Sequence, residues 1–312
     1  MPKVILGSRG SLLALAQTHE TRDRLIAAFP ELGAPGAIGI EKITSTGDMV
    51  RDRPLADVGG KGLFIKEVED ALLSGRIDVA IHSMKDMETS VADGTAITAV
   101  LPREDPRDAF VSPHVSAIEE LPMGARFGTA SVRRRALLLN RRPDLDVVLF
   151  RGNVDTRLRK LTEGDAMATL LATCGLKRLG KADVITKILE RDEMPPPVAQ
   201  GAIAIQTRDG EASARDAQIR DWVAALDHSE SHTVVRAERA MLRALDGSCR
   251  TPISGHARLV DGKLVLEGAV LSLDGQQRFD DSGSGDPGRP EDLGTAVGEA
   301  ILAQCGRDFL AV

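Results

Sequence analysis

The sequence predicts an α/β protein with mostly parallel sheets and a small α+β region at its C-terminal end. The prediction depends on short apolar strands, such as Lys3 to Ser8 and Ile77 to Ser83, that alternate with amphipathic helical segments. From Ser229 onward the pattern changes, because one helix is followed by consecutive alternating strands. The 312 residues are enough for two or three domains, each with its own core.

The elements at the N-terminal end follow this alternation. Ser11 stands where it can cap an amphipathic helix over residues 12–29, and a second strand is expected at Ile38 to Ile43. The glycine-rich stretch VGGKGLF then opens a helix that closes at Gly75. The strand Ile77 to Ser83 runs directly into MKDMET, so charged side chains follow this strand end.

Two polar stretches that contain proline interrupt the alternation, Leu101 to Asp108 and Asp192 to Gly201. Between them the strand-like segments RFGTAS, DVVLFRG and ATLLAT alternate with helices at Val132 to Asn140 and from Val154. We interpret the two stretches as hinges that connect an inserted domain to the first one. The predicted boundaries are residues 1–101 with 199–226 for domain 1, 102–198 for domain 2 and 227–312 for domain 3.

The third predicted domain begins with a helix, SHTVVRAERAMLRALDG, that has an apolar stripe and ends at Gly247. Two strands, GHARLV and KLVLEGAVLSL, follow on either side of the turn VDGK. A final helix is expected at roughly Leu293 to Cys305, and the preceding stretch GSGDPGRP is expected to be a surface loop.

Composition and charge argue against several classes of protein. The formal net charge of -6 disfavours general nucleic-acid binding, and no apolar run reaches the roughly 18 residues of a membrane span. Because the N-terminus enters a strand-like run without a signal-peptide pattern, we expect a cytoplasmic protein. The odd number and the spacing of the cysteines, Cys174, Cys249 and Cys305, favour neither a disulfide framework nor a zinc site.

Cationic and hydroxyl side chains recur at the ends of the predicted strands. The segments GSRGS, HSMKD, GTASVRR, FRGNVDTR and TCGLKR each combine a small or hydroxyl residue with Arg or Lys, and most lead into a helix. Helix N-termini offer N–H donors and a favourable dipole, and arginine binds carboxylate or phosphate through two hydrogen bonds. Since ligands of open α/β sheets bind at the carboxyl ends of strands, the pattern predicts a polyanion in a cleft between domains.

Individual segments of this set allow more than one interpretation. VGGKGLF lacks the Ser or Thr that follows the lysine of a nucleotide-binding phosphate loop, so Lys61 is better interpreted as an anion contact. Asp86, beside Lys85, is either an exposed ion pair or a carboxylate that stabilises positive charge in a substrate. For His82, a structural role is favoured over a functional one.

Cys249 lies in the loop DGSCRTPI, where no apolar neighbour would bury it. Cys174 and Cys305 stand in apolar segments and fit the role of small buried side chains. Arg250 favours the thiolate of Cys249, but the sequence reveals no base partner for a nucleophilic cysteine. We therefore interpret Cys249 as a reactive or derivatised thiol.

These segments resemble the porphobilinogen deaminase (hydroxymethylbilane synthase) family, in the order of the family and from residue 7 to about 255. The resemblance also includes the segments REDPRDAF, RRPDL, AQGAIAI and AERAMLRALDGSCRTPI. The resemblance implies two domains arranged like a periplasmic solute-binding protein, plus a small C-terminal domain. It implies an enzyme that condenses four porphobilinogen molecules head to tail, with release of ammonia, to hydroxymethylbilane. It further implies a covalent dipyrromethane cofactor, a monomer and no metal.

The resemblance also assigns roles by position. Asp86 matches the catalytic carboxylate, and Cys249 matches the cysteine that holds the dipyrromethane cofactor through a thioether. The matching polar contacts for cofactor and substrate are Arg9, Ser11, Lys61, Ser83, Lys85, Thr129, Ser131, Arg133, Arg134, Arg151, Arg157, Arg178 and Gln200.

The sequence departs from the family pattern at several positions. Ala130 replaces a serine, Cys174 replaces a small alanine, and Ala199 replaces a glycine, which is expected to stiffen the hinge. An alternative interpretation is a two-domain solute-binding or effector-sensing protein for a polycarboxylate, without chemistry. The missing signal-peptide pattern and the pair Asp86 and Cys249 argue against this alternative.

Overall fold

The computed structural model of the protein describes residues 2–46, 65–209, 213–247 and 251–310. The chain divides into two compact units, Met1–Glu104 with Gly201–His232 and Asp105–Gln200 with Thr233–Val312. The first two passages of the chain from one unit to the other, at 104/105 and 200/201, lie in the two proline-containing stretches. The division into three domains stays a prediction.

The described residues form strands and helices in the alternating order that the sequence predicts. The strands are β1 (Val4–Arg9), β2 (Ile38–Ile43), β3 (Val79–Ser83), β4 (Thr95–Val100), β5 (Asp108–Val111), β6 (Arg126–Thr129), β7 (Asp146–Leu149), β8 (Ala168–Ala172), β9 (Lys187–Ile188), β10 (Ile203–Arg208), β11 (Ile253–Val260), β12 (Lys263–Leu271) and β13 (Arg278–Gly285). The α-helices are α1 (Leu12–Ala28), α2 (Lys66–Leu73), α3 (Val132–Arg141), α4 (Val154–Thr162), α5 (Thr173–Arg178), α6 (Ala214–Ala224), α7 (Ser229–Ala244) and α8 (Pro290–Cys305). None of these helices is long and apolar enough to cross a membrane.

The first unit is built around a five-stranded sheet in the order β2-β1-β3-β10-β4. Strand β1 pairs in parallel with β2 and β3, whereas β10 runs antiparallel to β3 and β4. The central strands are near-continuous apolar runs because both of their faces are covered. Their buried side chains, which form the core of this unit, include Leu6, Val79, Ile81, Ile203 and Ile205.

The second unit contains a sheet with a similar spatial arrangement, in the order β7-β6-β8-β5-β9, but its reversed strand, β5, comes first in the unit's part of the chain, whereas β10 comes last in the first unit. Strand β6 is parallel to β7 and β8, and β5 is antiparallel to β8 and β9. In each sheet a central strand, β1 or β6, pairs in parallel with a strand on either side. One of those neighbours, β3 or β8, pairs on its other side with the reversed strand, β10 or β5. This arrangement confirms the predicted α/β class with mixed, mostly parallel sheets.

Hydroxyl side chains connect the strand ends of both sheets to the helices that follow. Ser11 caps α1, since its Oγ accepts from the Ala14 N–H at 3.2 Å. Ser131 caps α3 in the same way, accepting from the Arg134 N–H at 3.4 Å. Each cap lies two residues beyond a strand, so the carboxyl end of the strand and the helix N-terminus are adjacent.

The C-terminal part of the second unit is an antiparallel sheet, β11-β12-β13, that packs against α8. Helices α7 and α8 approach closely at Gly294, where a Cβ would lie 2.2 Å from the Ala237 carbonyl oxygen. The structure corrects the prediction of a loop over GSGDPGRP, because Gly283 to Gly285 end strand β13. This strand lacks an apolar face, so its pattern did not indicate a strand.

Candidate active site

Side chains at the strand ends of the first unit line a small pocket. The ends of β1 and β3 and the first turns of α1 form it, and its polar lining residues are Arg9, Ser11, Gln17, His82, Ser83 and Asp86. Four of these, Arg9, Ser11, Ser83 and Asp86, are residues that the sequence singled out as a binding or catalytic set. The structure therefore brings that part of the predicted set together.

Asp86 ends a 3-10 segment, Met84–Asp86, that follows β3 directly. The segment is anchored at both ends, because the Met84 N–H donates to the Ala202 carbonyl at 3.0 Å and the Met87 N–H returns to Met84 at 3.1 Å. The Asp86 side chain is 38% exposed, and its Oδ2 lies 3.8 Å from Arg9 Nη1. At this distance the positive charge of Arg9 still attracts the carboxylate, but the two groups do not form a close bidentate ion pair. A ligand can therefore reach the carboxylate oxygens.

Gln17 also lines the pocket and was not predicted from the sequence. Its Oε1 accepts from Ser83 Oγ at 2.9 Å, and the glutamine itself is 3% exposed. Gln17 follows Ser11 by six positions on α1, at a place where the helix faces the sheet. A polar residue on the buried side of an amphipathic helix is the signal that could have identified it.

His82 precedes Ser83 in β3 and is 6% exposed. Its Nε2 lies 2.9 Å from Gln206 Oε1 on the neighbouring strand β10. Burial, together with the charge of Arg9, lowers the pKa of His82 to about 4, although the hydrogen bond with Gln206 acts in the opposite direction. The imidazole is therefore neutral at physiological pH.

Three predicted contacts of the second unit converge on Asp108. Arg133 Nη2 donates to Oδ2 at 2.6 Å, Arg134 donates to both carboxylate oxygens at 3.1 and 2.7 Å, and Gln200 Nε2 donates to Oδ1 at 2.8 Å. All four residues are buried. Burial raises the pKa of Asp108, but the charges of Arg133 and Arg134 outweigh it and hold that pKa far below its usual range.

Asp108 is a residue that sequence reasoning missed, although it lies in the segment REDPRDAF. The signal was present, because a carboxylate at the start of the apolar strand DAFV has to be paired when the strand is buried. Its three partners support the local structure of the second unit. For these three, direct contact with a ligand stays a prediction.

Arg157 marks a second concentration of positive charge in this unit. It lies on α4, and its Nε donates to the Gly152 carbonyl at 2.9 Å. Burial, followed by the charges of Arg134 and Arg151, lowers the pKa of Arg157 to about 10. An arginine whose charge is disfavoured by burial and by neighbouring cations is a candidate partner for an anion.

The remaining predicted residues are placed as follows. Thr129 ends β6 and accepts from the Ser131 N–H at 3.1 Å, Arg178 ends α5, and Lys85 lies within Met84–Asp86. Lys61 and Cys249 lie outside the described residues. Among the side chains that the structure describes, no group of three His, Cys, Asp or Glu could hold a metal ion.

The three departures from the family pattern all lie in the second unit. Ala130 is exposed, and Cys174 is 5% exposed at the start of α5. Ala199 has a φ of 59°, in the left-handed region, and its N–H donates to Glu238 Oε2 at 2.6 Å. A side chain at such a φ is strained, which glycine would not be.

Comparisons with known proteins agree with the motifs. The family model described as "Porphobilinogen deaminase, dipyromethane cofactor binding domain" matches residues 4–216, and "Porphobilinogen deaminase, C-terminal domain" matches residues 232–303. Porphobilinogen deaminase of Paracoccus denitrificans is 50% identical, over 97% of this chain and 95% of its own length. The chloroplastic porphobilinogen deaminase of Oryza sativa subsp. japonica is 49% identical, over 97% of this chain and 84% of its own length.

Solved structures give a weaker likeness. The methionine-binding protein MetQ superposes with a TM-score of 0.44 at 10% identity, over 72% of this chain and 89% of its own. A likeness this low does not assign a family or a function. The assignment instead comes from the two family models and from relatives that match nearly the whole chain at about half identity. The chain belongs to the porphobilinogen deaminase family.

Proposed function

We propose that this chain condenses four porphobilinogen molecules head to tail into hydroxymethylbilane, releasing ammonia at each addition, with Asp86 as its catalytic carboxylate. The relatives of nearly full length support the reaction. The observation that supports the site is a partly exposed carboxylate beside Arg9 in a pocket at the strand ends of the first unit. These relatives also disfavour the alternative of a solute-binding protein without chemistry.

The role of Asp86 follows from where charge appears in the substrate. When the aminomethyl C–N bond of porphobilinogen breaks, the electron pair leaves with ammonia and the pyrrole methylene becomes cationic. An ionised Asp86 stabilises this cation and accepts hydrogen bonds from pyrrole N–H groups. The new C–C bond then forms, and the attacked ring carbon loses its proton. Asp86 can relay that proton, whereas His82, with its pKa of about 4, is a poor base at neutral pH.

The arginines of the second unit would hold carboxylates. Each pyrrole unit carries an acetate and a propionate, so negative charge accumulates as the chain grows. The cluster of Arg134, Arg151 and Arg157 fits such a ligand, because burial and the neighbouring charges lower the pKa of Arg157, and an anion would offset both effects. The other predicted contacts would add hydroxyl, amide and ammonium donors.

We expect a monomer in the cytoplasm, with porphobilinogen as its substrate and with neither nucleic acid nor membrane as a partner.

The same donor set fits a dipyrromethane cofactor, whose two rings carry the same carboxylate substituents. We assign its thioether to Cys249 and its carboxylates to the arginine cluster. When bound, the cofactor supplies the covalent primer from which the chain is extended. The residues of this chain orient the primer and neutralise its charge.

Intact-protein mass spectrometry of the natively purified protein tests this assignment. We expect a mass excess of two pyrrole units that Cys249→Ser abolishes. As a matched control, Cys305→Ser, in the terminal helix α8, should keep the excess. Native protein that lacks the mass excess and consumes no porphobilinogen would refute the proposed function.

A further inference from the structure

The hydrogen bonds around Gln206 determine which atom of its amide faces His82. Thr95 Oγ1 donates its one hydrogen to the Ala92 carbonyl at 2.6 Å, so it accepts from Gln206 Nε2 at 2.7 Å. Glu69 Oε1, a carboxylate oxygen that only accepts, takes the second amide hydrogen at 2.8 Å. Both hydrogens of the amide are therefore used, and Gln206 Oε1 is the atom that faces the imidazole.

This orientation fixes the tautomer of His82. Gln206 Oε1 is an acceptor, so His82 Nε2, 2.9 Å away, must carry the proton of that hydrogen bond. The pKa of about 4 leaves the ring with one proton at neutral pH. Nδ1 is therefore an unprotonated acceptor, and it has no hydrogen-bond partner among the described residues.

His82 is one of the residues that line the pocket, together with Arg9, Ser83 and Asp86. His82 is 6% exposed, and its Nδ1 is not one of the fully buried side-chain atoms that lack a partner in the described part of the chain, so a donor in the pocket can reach it. Asp86 offers a second acceptor in the same pocket. Two acceptors of this kind suit an occupant with a cationic N–H donor, such as an ammonium group.

We propose that His82 Nδ1 accepts a hydrogen bond from the aminomethyl nitrogen of porphobilinogen and thereby orients the C–N bond that breaks. The proposal rests on the proposed function. No proton passes to His82, because the –NH3+ group leaves as ammonia with the electron pair of the C–N bond and the positive charge stays on the methylene carbon. A protonated imidazole could not accept this hydrogen bond and would place a second cation beside the one that forms. Gln206 acts as a positioning residue that keeps the required tautomer.

A pair of substitutions separates the two ring nitrogens. His82→Gln keeps a donor for Gln206 and removes the Nδ1 acceptor, whereas His82→Asn keeps an acceptor near Nδ1 and removes the bond to Gln206. We expect kcat/KM for porphobilinogen to fall about tenfold or more in His82→Gln, the usual effect of losing one hydrogen bond to a charged group. The inhibition constant of the analogue with methyl in place of aminomethyl should not change. His82→Asn should recover part of the loss, and His19→Gln, exposed on α1, should behave as wild type.

Two results with these variants would overturn the proposal. Full activity of His82→Gln would show that Nδ1 contributes nothing. An equal loss for the substrate and for the methyl analogue, or no recovery in His82→Asn, would show a role in folding of the pocket only. If the wild-type holoenzyme did not turn over porphobilinogen at all, the proposed function itself would be refuted.

Nitrogen-15 NMR of the histidine side chains provides a readout that does not depend on turnover. In the wild-type holoenzyme at neutral pH, His82 should show a protonated Nε2 and an unprotonated Nδ1. Porphobilinogen, but not the methyl analogue, should shift the Nδ1 resonance. In Gln206→Met both tautomers should be populated. An imidazolium, or the opposite tautomer in the wild type, would overturn the proposal.

Discussion

Two aspartates, one in each unit, lie beside arginines in two different environments. Asp108 is 0% exposed and accepts close hydrogen bonds from two arginines and a glutamine. The Asp86 side chain is 38% exposed, and its Oδ2 lies 3.8 Å from Arg9 Nη1. Proximity to a cation is common to both, so it does not identify a catalytic group. The exposure of the carboxylate and the number of its lone pairs already in use distinguish them.

This difference has a chemical consequence. Asp108 could serve a substrate only by giving up hydrogen bonds from buried arginines, which would leave their charges without a partner. Asp86 can gain partners during a reaction without losing strong ones, so its interaction with a cation can strengthen in the transition state. Substitutions at the two positions should therefore affect different properties of the protein.

The largest effect is expected for Asp86→Ala, in turnover rather than in stability. Loss of the carboxylate that we propose to stabilise the cationic methylene should lower kcat about 10³-fold, and the cofactor mass should be retained. The free energy of unfolding should change little, since a half-exposed ion pair contributes little to it. Steady-state formation of hydroxymethylbilane measures the effect, with Asp280→Ala on β13 as the control. Wild-type turnover in Asp86→Ala would remove Asp86 from the mechanism.

Asp108→Asn should have the opposite profile. The uncharged amide leaves Arg133 and Arg134 buried without a counter-charge, which should lower the free energy of unfolding by about 3–5 kcal/mol. Urea unfolding measures this loss, with the exposed Asp280→Asn as the control. Unchanged stability together with lost turnover would make Asp108 a functional carboxylate and would remove the contrast with Asp86.

Acid should destabilise the protein first through His82, in the first unit. The folded protein lowers the pKa of His82 from 6.5 to about 4, so between these values the unfolded chain binds the proton more readily. The stability that the neutral imidazole contributes is present above pH 6.5 and is lost as the pH falls toward 4, by up to about 3 kcal/mol. Asp108 acts later, because its lowered pKa contributes stability that is lost only below its ordinary value of 3.8. Urea unfolding across this pH range should show a slope that His82→Gln lacks; the same slope in the variant would contradict the prediction.

Arg157→Gln should affect ligand binding more than stability. Burial and the charges of Arg134 and Arg151 disfavour the charge of Arg157, so without it the unliganded protein should be at least as stable as the wild type. The KM for porphobilinogen should rise about tenfold, because a charged hydrogen bond to a carboxylate is lost. Arg159→Gln is the matched control, since Arg159 is exposed on the same helix and pairs with Glu163. Equal KM values in both variants would remove Arg157 from the anion site.

The fold and the site around Asp86 could be predicted from the sequence, because both depend on local patterns. Apolar strands, capped helices and a charged residue just after a strand are all visible within a few positions, so Asp86 and Ser11 could be found. The part of the pocket lining that comes from strand ends follows from that information, since parallel strands place their carboxyl ends at one edge, whereas Gln17 does not. Strand β13 was missed because it has no apolar face.

The hydrogen bonds of Asp108 and His82 could not be predicted, because they depend on partners that are distant in the chain. Asp108 is 25 positions from Arg133 and 92 from Gln200, and His82 is 124 positions from Gln206. No local pattern predicts such pairings, and the tautomer of His82 depends on a chain of donors that only the folded structure shows. Burial, which distinguishes Asp108 from Asp86, also depends on tertiary packing.

The smallest expected effect tests the strain beside the Asp108 cluster. Ala199 precedes Gln200, which donates to Asp108, and it holds a φ of 59°. Ala199→Gly should raise the free energy of unfolding by about 1 kcal/mol, because glycine adopts this conformation without a Cβ clash and keeps the backbone N–H that donates to Glu238. Ala202→Gly, at a buried position outside the left-handed region, should instead lower the free energy of unfolding by about 1 kcal/mol or more, since glycine there adds entropy to the unfolded state and removes a buried methyl group. Turnover should not change in Ala199→Gly, because the substitution relaxes the structural carboxylate's surroundings and leaves Asp86 untouched; a fall in turnover would show that a strained Ala199 serves the reaction as well as the fold.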